Sequence, residues 1–283
     1  MSGQQVAQDF DSGVCVQGDQ ISGGRGRSLH ATRAFRPGEE VAAFSEALVV
    51  IPSGPTAKSI CSQCMMPRRP AKPCSGCRAI AYCGIACQKV HWAAVHKLEC
   101  RAFKRVRSKV SQDWLPTQVR AAVQLLLRWG EEGVAGAVDR LQGNVEAFRT
   151  KKIWADIELQ ALAVCTYAGW NTTDENLALA STLLCKVRRP FQSNPKAARA
   201  LTSETKIQTN SFDRNDGDTG DTGTFLHPTL AMANHSCIPT ALVAFAGRRA
   251  YLRAVTPIKT GDEITISYIG KPVRPSYPDR LAN

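Results

Sequence analysis

The feature that most constrains this chain is a forty-residue stretch, Cys61 to Cys100, that is dense in metal-binding side chains. It holds seven of the eleven cysteines in the 283-residue sequence and two of its five histidines. The chelating residues come in four pairs: Cys61-x2-Cys64, Cys74-x2-Cys77, Cys83-x3-Cys87 and His96-x3-Cys100. A C-x2-C turn brings two thiolates to one tetrahedral ion, and residues four apart are neighbours on one helix face. The eight side chains therefore predict two closed, four-coordinate structural zinc sites.

A disulfide framework is the main alternative interpretation of these cysteines. The odd cysteine count and the first ten residues, MSGQQVAQDF, which lack an apolar signal region, argue against it. Zinc-binding, reduced cysteines favour a reducing compartment, so we expect the protein in the nucleus, the cytoplasm or both. His91 is a rival ligand because it lies four residues after Cys87, but His96 is preferred because it pairs with Cys100 at helical spacing.

The composition is that of a soluble globular protein, with 43% hydrophobic and 21% charged residues. No apolar run approaches the roughly 20 residues that span a bilayer, so no membrane partner is expected. The formal charge is +12, and the segment from Lys89 to Lys109 contains seven basic residues against one acid, Glu99. Such a patch attracts nucleic acid or an acidic protein surface. Because no interleaved aromatic platform or DNA-reading helix accompanies it, nucleic-acid binding is only a minor alternative.

The pattern of residues changes on either side of the cysteine-rich stretch. Short strands and turns are expected from Val14 to Val50. Apolar spacing after Cys100 predicts four helices, around Val119 to Leu127, Val138 to Phe148, Ile153 to Tyr167 and Glu175 to Val187. Strands return from Ile207 onward, with a hairpin formed by Ala241 to Ala246 and Arg249 to Val255.

The cysteine-rich stretch resembles a MYND zinc finger. The resemblance rests on Tyr82-Cys83, on Cys87-Gln88-Lys89 and on the Trp92…His96-Lys97-x-Glu99-Cys100 ending. It implies an interleaved pairing, which the spacing alone leaves open: Cys61, Cys64, Cys83 and Cys87 on one ion, and Cys74, Cys77, His96 and Cys100 on the other. Fingers of this kind often dock proline-rich peptides, so a proline-rich partner is implied as well.

Four further segments, on both sides of the finger, resemble parts of a SET domain. They are Gly26-Arg27-Ser28-Leu29-His30-Ala31-Thr32-Arg33 with Arg36-Pro37-Gly38-Glu39, then Thr209-Asn210-Ser211-Phe212, Ala233-Asn234-His235-Ser236-Cys237-Ile238-Pro239, and Gly261-Asp262-Glu263-Ile264-Thr265-Ile266-Ser267-Tyr268. The third is similar to the family's NHSCxPN run, with Thr240 in place of the final asparagine, and the fourth to its GEEITISY run. Their order identifies the chain, over residues 14–269, as a member of the SET-and-MYND protein-lysine methyltransferases.

The resemblance implies methyl transfer from S-adenosylmethionine to the lysine amine of a protein substrate, histone or non-histone. The implied cofactor-binding residues are Gly26, Arg27, Asn210, Asn234, His235 and Tyr268. Ser211 and Phe212 would line the lysine channel, and Tyr268 would be the catalytic residue. Its hydroxyl would orient the amine and the methyl group, because an in-line displacement depends chiefly on alignment.

The expected fold class is α+β: a SET β-core split by an inserted MYND finger and a helical insert. The predicted units are 13–60 and 207–270 for the two parts of the SET domain, 61–100 for the finger, 101–206 for the helical insert with an extra loop at 188–206, and 271–283 for a tail. Family members continue into a cysteine-rich tail that binds a third zinc together with the counterpart of Cys237, and no cysteine follows Cys237 here. The alternative function is therefore a catalytically weak or inactive MYND/SET interaction module that binds proline-rich partner peptides.

Overall fold

The computed structural model of the protein describes residues 13–18, 26–54, 56–66, 70–106, 115–143, 145–187, 210–216 and 220–268. The strands in these ranges are β1 (Val14–Gln17), β2 (Ser28–Ala31), β3 (Glu40–Phe44), β4 (Val49–Ile51), β5 (Lys72–Pro73), β6 (Ala81–Tyr82), β7 (Ser211–Asp216), β8 (Gly220–Leu226), β9 (Asn234–His235), β10 (Ala241–Ala246), β11 (Arg249–Ala254) and β12 (Thr265–Ile266). The helices are α1 (Ile85–His91), α2 (Lys97–Val106), α3 (Thr117–Leu127), α4 (Val134–Asp139), α5 (Val145–Arg149), α6 (Trp154–Ala168) and α7 (Asp174–Val187). A π-helical turn, Trp92–His96, joins α1 to α2, and a short 3-10 helix, Leu230–Met232, precedes β9.

The SET core consists of small sheets whose strands are far apart in sequence. One sheet has the order β10-β11-β3, and another the order β4-β8-β7. Phe44 of β3 pairs with Ala250 of β11, and Val49 of β4 pairs with Leu226 of β8. The chain therefore leaves the core after β4 and returns to it at β7, which confirms a β-core split by an insertion.

The β10–β11 hairpin shows how local sequence produces this core. Ala250, Leu252 and Ala254 of β11 are buried, while the alternating Arg249 and Arg253 are exposed and Tyr251 is half-buried. Such alternation is typical of an antiparallel strand with one face on a core, because successive side chains point to opposite faces. The two-residue turn begins at Gly247, whose φ of +55° lies in the left-handed region that glycine adopts without strain. The hairpin predicted from the sequence is thus present.

The inserted finger and helices share a second core. Its buried members come from both units: Tyr82 of the finger, Phe103 of α2, Leu125 of α3, Ile157 of α6 and Leu183 of α7. Antiparallel packing of α6 on α7 follows a turn at Gly169, whose φ of +77° ends α6 in the left-handed conformation common at helix C-termini. The finger therefore packs directly on the helical insert.

The helix predicted from Val138 to Phe148 is wrong. The structure has two short helices instead, α4 and α5, and residues 140–143 between them are not helical. The backbone there is held by Asn210, whose amide donates to the Gln142 carbonyl and whose oxygen accepts from the Gln142 N–H. A long-range side-chain contact thus overrides the apolar spacing of this segment.

Parts of the sequence predictions lie outside the described residues. These are the glycine-rich bend before Gly26, Thr209, and the segments 188–206 and 271–283. Along the described part of the chain, no helix is both long and apolar enough to cross a membrane.

Candidate functional sites

The eight predicted metal ligands fall into two groups of four. One group contains Cys61, Cys64, Cys83 and Cys87, and the other contains Cys74, Cys77, His96 and Cys100. Within each group the ligand atoms lie within 4.8 Å of one another. This grouping, which we call the first and second metal centres, is the interleaved one that the MYND resemblance implies.

The distances within the groups fit a tetrahedral zinc ion. Two sulfurs bound to one zinc by bonds of 2.3 Å stand about 3.8 Å apart in tetrahedral geometry. The sulfurs of Cys64 and Cys83 are 3.7 Å apart, and those of Cys83 and Cys87 are 3.5 Å apart. In the second centre, His96 Nε2 lies 3.4 Å from the Cys74 sulfur and 3.7 Å from the Cys77 sulfur. Thiolate and imidazole donors in closed sets of four are the ligands that structural zinc takes.

Both C-x2-C turns have the same backbone conformation. The residue that follows the second cysteine, Met65 in one turn and Arg78 in the other, has a positive φ of 56°. Its N–H donates back to the carbonyl of the first cysteine, Cys61 or Cys74, at 2.9 Å in each turn. A non-glycine residue in the left-handed region is uncommon, so this shared geometry indicates two equivalent metal-binding turns.

Backbone N–H groups tune one thiol in each centre. Burial raises the pKa of Cys61, but hydrogen bonds from the backbone of Cys64, Cys83 and Gln63 outweigh it and lower the value to about 7. Burial also raises the pKa of Cys74, but hydrogen bonds from the Cys77 backbone and the His96 ring outweigh it and lower the value to about 7. A thiol that ionises near neutral pH is ready to bind a metal ion, because the thiolate is the ligand.

His91, the rival ligand, lies in neither group of four. Its Nδ1 is 2.8 Å from the Tyr82 hydroxyl, and burial lowers its pKa to about 3. His91 is also close to His96 and Glu99, but His96 already belongs to the second centre. The π-helical turn Trp92–His96 separates the two histidines, and its extra residue per turn changes the helix face on which all later residues lie. The preference for His96 made from helical spacing therefore agrees with the geometry, although the spacing is not purely α-helical.

A polar cluster joins the predicted cofactor residues of the last SET segments. β9 pairs in parallel with β12, so that Asn234 lies opposite Thr265 and His235 opposite Ile266. Two residues beyond β12, the Tyr268 N–H donates to His235 Nδ1 at 3.0 Å. The Tyr268 hydroxyl donates to the Ala233 carbonyl at 2.7 Å, and its ring centroid lies 5.3 Å from that of His235.

The environment keeps the Tyr268 phenol protonated. Burial, and then the negative charge of Glu263, raise its pKa to about 12. Glu263 also accepts a hydrogen bond of 2.8 Å from the Asn234 amide. The hydroxyl is thus a hydrogen-bond donor at neutral pH and not a base.

Of the other predicted cofactor residues, Gly26 and Arg27 adjoin this cluster, and Asn210 is linked to it only through the segment 140–143. Gly26 has a positive φ of 87°, and the Arg27 carbonyl is 3.5 Å from the Asn234 amide nitrogen. The Arg27 guanidinium donates to the Arg140 carbonyl. Asn210 is buried, and its amide donates to the carbonyls of Gln142 and Lys186 at 2.8 and 2.9 Å. The segment 140–143 therefore connects Asn210 to Arg27.

Ser211 and Phe212, predicted for the substrate channel, occupy the start of β7. The Ser211 hydroxyl is buried and donates to the Val187 carbonyl at 2.7 Å, whereas Phe212 pairs with Phe225 and is half-buried. The cofactor, channel and catalytic roles of these residues stay predictions. The sequence did not point to Glu263 as a partner of Asn234, or to Gln142 as a partner of Asn210. For Glu263, its position inside the Gly261 to Tyr268 motif was the one signal that could have indicated such a role.

The comparisons with known proteins agree with this arrangement. The family described as "SET domain" matches residues 26–269, so the chain belongs to the SET-domain family. It is 29% identical over 254 residues to the N-lysine methyltransferase SMYD2-B of Danio rerio, covering 88% of this chain and 52% of that protein. It is 29% identical over 248 residues to the histone-lysine N-methyltransferase ASHR1 of Arabidopsis thaliana, covering 87% of this chain and 48% of that protein.

Among solved structures, the SET domain of LSMT bound to lysine and AdoHcy matches over 94% of this chain and 51% of the LSMT chain. The sequence identity is 13% and the TM-score is 0.37, so the likeness is too loose for residue-level comparison. The chain spans about half the length of the curated relatives it matches. The resemblance to SET-and-MYND proteins predicted from the motifs is confirmed by the family match and these relatives together with the two cysteine centres.

Proposed function

We propose that this chain is an S-adenosylmethionine-dependent protein-lysine N-methyltransferase that carries two structural zinc ions. The observation that carries the proposal is the parallel pairing of β9 with β12, which sets Tyr268 against His235 and the Ala233 carbonyl. Residues that are 29 to 35 positions apart in sequence thereby form one polar cluster. The names of the curated relatives, both lysine methyltransferases, support the same activity.

The polar groups of the cluster suit a ligand that is both charged and polar. Asn234 is buried with a side-chain amide that already contacts Glu263 and the Arg27 carbonyl, so its position is fixed. His235 Nδ1 accepts the Tyr268 N–H, which leaves the ring's other nitrogen as the donor in the neutral imidazole. Side chains held in this way are preorganised, so little free energy is lost in arranging them for binding.

S-adenosylmethionine supplies the methyl group when it is bound. The protonated Tyr268 hydroxyl can donate a hydrogen bond but cannot remove a proton from the lysine at neutral pH, because its pKa is raised to about 12. Its part is to orient the reacting groups, and half-burial of the ring helps to exclude water. The lysine amine must therefore lose its proton to an acceptor other than Tyr268 before the transfer.

Titration calorimetry of the zinc-loaded protein with S-adenosylmethionine tests the cofactor site. We expect micromolar binding, lost in Asn234→Ala and retained in Asn215→Ala, because Asn215 is exposed on β7 away from the cluster. Transfer of labelled methyl groups from S-adenosylmethionine to core histones and to a lysine peptide library would then identify the acceptor. Absence of binding by the wild-type protein would contradict the proposal.

A second candidate is an interaction module whose finger binds proline-rich peptides. The finger exposes several large apolar side chains along α1, the π-helical turn and α2, which are Ile85 (71% exposed), Val90 (56%), Trp92 (39%) and Leu98 (37%). Proline-rich segments dock on aromatic and apolar surfaces with a low entropy cost. Quenching of tryptophan fluorescence by a proline-rich peptide, abolished in Trp92→Ala and unchanged in Trp129→Ala, would support this function. A peptide that leaves the fluorescence unchanged would count against it.

A further inference from the structure

Glu99 links the second metal centre to a helix outside the finger. Its carboxylate is fully buried and accepts the His96 Nδ1–H at 2.9 Å. Two side chains of α3 donate to the same carboxylate: Arg120 through Nε at 2.7 Å and Nη2 at 3.3 Å, and Gln124 through its amide at 3.0 Å. Arg120 and Gln124 are themselves 3% and 4% exposed. The carboxylate thus receives four hydrogen bonds, three of them from α3.

This arrangement fixes the tautomer of the metal-binding histidine. A proton on His96 Nδ1, held by Glu99, leaves Nε2 with its lone pair free toward the sulfurs of Cys74 and Cys77. A carboxylate behind a metal-bound imidazole orients the ring and raises its basicity. The Arg120 guanidinium, 2.7 Å from the same carboxylate, compensates its buried negative charge.

The backbone of the first metal centre contacts the SET core. Arg248, in the β10–β11 turn, directs Nη1 at the carbonyls of Ser62 and Gln63, at 3.4 and 3.5 Å, inside the Cys61–Cys64 turn. The same nitrogen reaches the Val50 carbonyl of β4 at 3.4 Å. A zinc ion with four thiolates carries about two negative charges, so the half-buried Arg248 guanidinium at the Cys61–Cys64 turn compensates part of that charge.

We infer that Glu99, Arg120 and Gln124 are positioning residues for the second metal centre and that Arg248 is one for the first. Metal binding by the finger is thereby linked to the docking of the finger on helix α3 and on the β10–β11 hairpin. The finger is therefore more than an independent module on a flexible connection. Metal affinity depends on residues that lie 20 or more positions after the last ligand, Cys100. The inference rests on the two zinc ions of the proposed function.

The experiment uses the full chain with cadmium-113 in both centres. Sites with four sulfurs and sites with three sulfurs and one nitrogen give separate cadmium signals, so a chelator titration followed by NMR reports the affinity of each centre. We expect Glu99→Gln and Arg120→Met to weaken the second centre by about 10- to 100-fold and to leave the first unchanged. Arg248→Met should weaken the first centre alone, and by less, because its hydrogen bonds are longer. The adjacent exposed Arg249, changed to Met, is the matched control.

A readout specific to positioning is the nitrogen-15 spectrum of the His96 ring. Arg120→Met should alter the shift of Nδ1, and Arg120→Lys, which keeps the charge, should restore part of the affinity. Should Arg120→Met fail to fold, Arg120→Lys and Gln124→Met test the same contact with milder changes. The inference would be overturned if no variant changed the metal affinity of either centre relative to the wild type. It would also be overturned if a variant weakened both centres by the same factor. Wild-type protein that holds fewer than two ions would instead refute the zinc assignment.

Discussion

Replacement of Tyr268 by phenylalanine isolates the contribution of one hydroxyl group. The change removes the 2.7 Å hydrogen bond to the Ala233 carbonyl and leaves the ring beside His235. The backbone bond from the Tyr268 N–H to His235 is also retained. Loss of one such hydrogen bond costs about 1 kcal/mol. For a chain of this size we expect the midpoint of thermal unfolding to fall by about 2 to 4 °C.

The effect on methyl transfer should be much larger than the effect on stability. A positioning group that is lost at the reacting centre lowers the rate by about 100-fold, whereas the affinity for S-adenosylmethionine should change by only a few-fold. The assay is turnover with labelled cofactor beside calorimetric binding, both on folded protein. Tyr251→Phe is the control, because Tyr251 is a half-buried tyrosine of β11 outside the cluster.

The pH dependence separates orientation from base catalysis. The raised pKa of Tyr268 means that the folded state favours the protonated phenol, so the associated stability is present below the unfolded value near 10 and is lost as the pH rises through about 12. Tyr268→Phe should abolish that loss. The reasoning would be refuted if the wild-type rate of methyl transfer rose with pH through a pKa near neutrality and this rise disappeared in Tyr268→Phe. Unchanged turnover in the variant would also refute it.

Three further predictions concern stability and metal content. A strong chelator should remove two zinc ions per chain and unfold the finger, since structural zinc contributes on the order of 10 kcal/mol to small modules. Mass spectrometry measures the zinc content, and circular dichroism measures the loss of structure. A finger that keeps its fold without metal would contradict this prediction. Gly223→Ala should prevent stable folding, because the added Cβ would lie 2.2 Å from the Ile51 carbonyl oxygen and the φ is +154°. Gly136→Ala, in open space on α4, should instead raise the free energy of unfolding by about 1 kcal/mol. Chemical denaturation measures both. Phe225→Ala should cost about 3 to 5 kcal/mol, because the side chain is fully buried against Phe245 and His227, and a loss below 1 kcal/mol would show that the core relaxes around it.

Much of the architecture could be predicted because its signals are local. The β10–β11 hairpin follows from alternating burial around a glycine turn, and the helices near α3, α6 and α7 follow from apolar spacing. The motif order around the cysteine-rich stretch predicted the split core, which the pairing of β4 with β8 confirms. The helix expected across residues 138–148 failed because Asn210, far along the chain, binds the backbone at Gln142.

The sequence by itself predicted the eight candidate metal ligands that the structure gathers into two groups, since ligand chemistry and the spacing within each pair are local properties. It left open which pairs share an ion, because that depends on how the chain crosses itself between Cys64 and Cys83. Only the tertiary structure brought Arg120 to Glu99 and Glu263 to Asn234. Periodicity describes which face a residue occupies, but it contains no information about the distant element that this face will meet, and a buried charge is stable only where such a partner arrives.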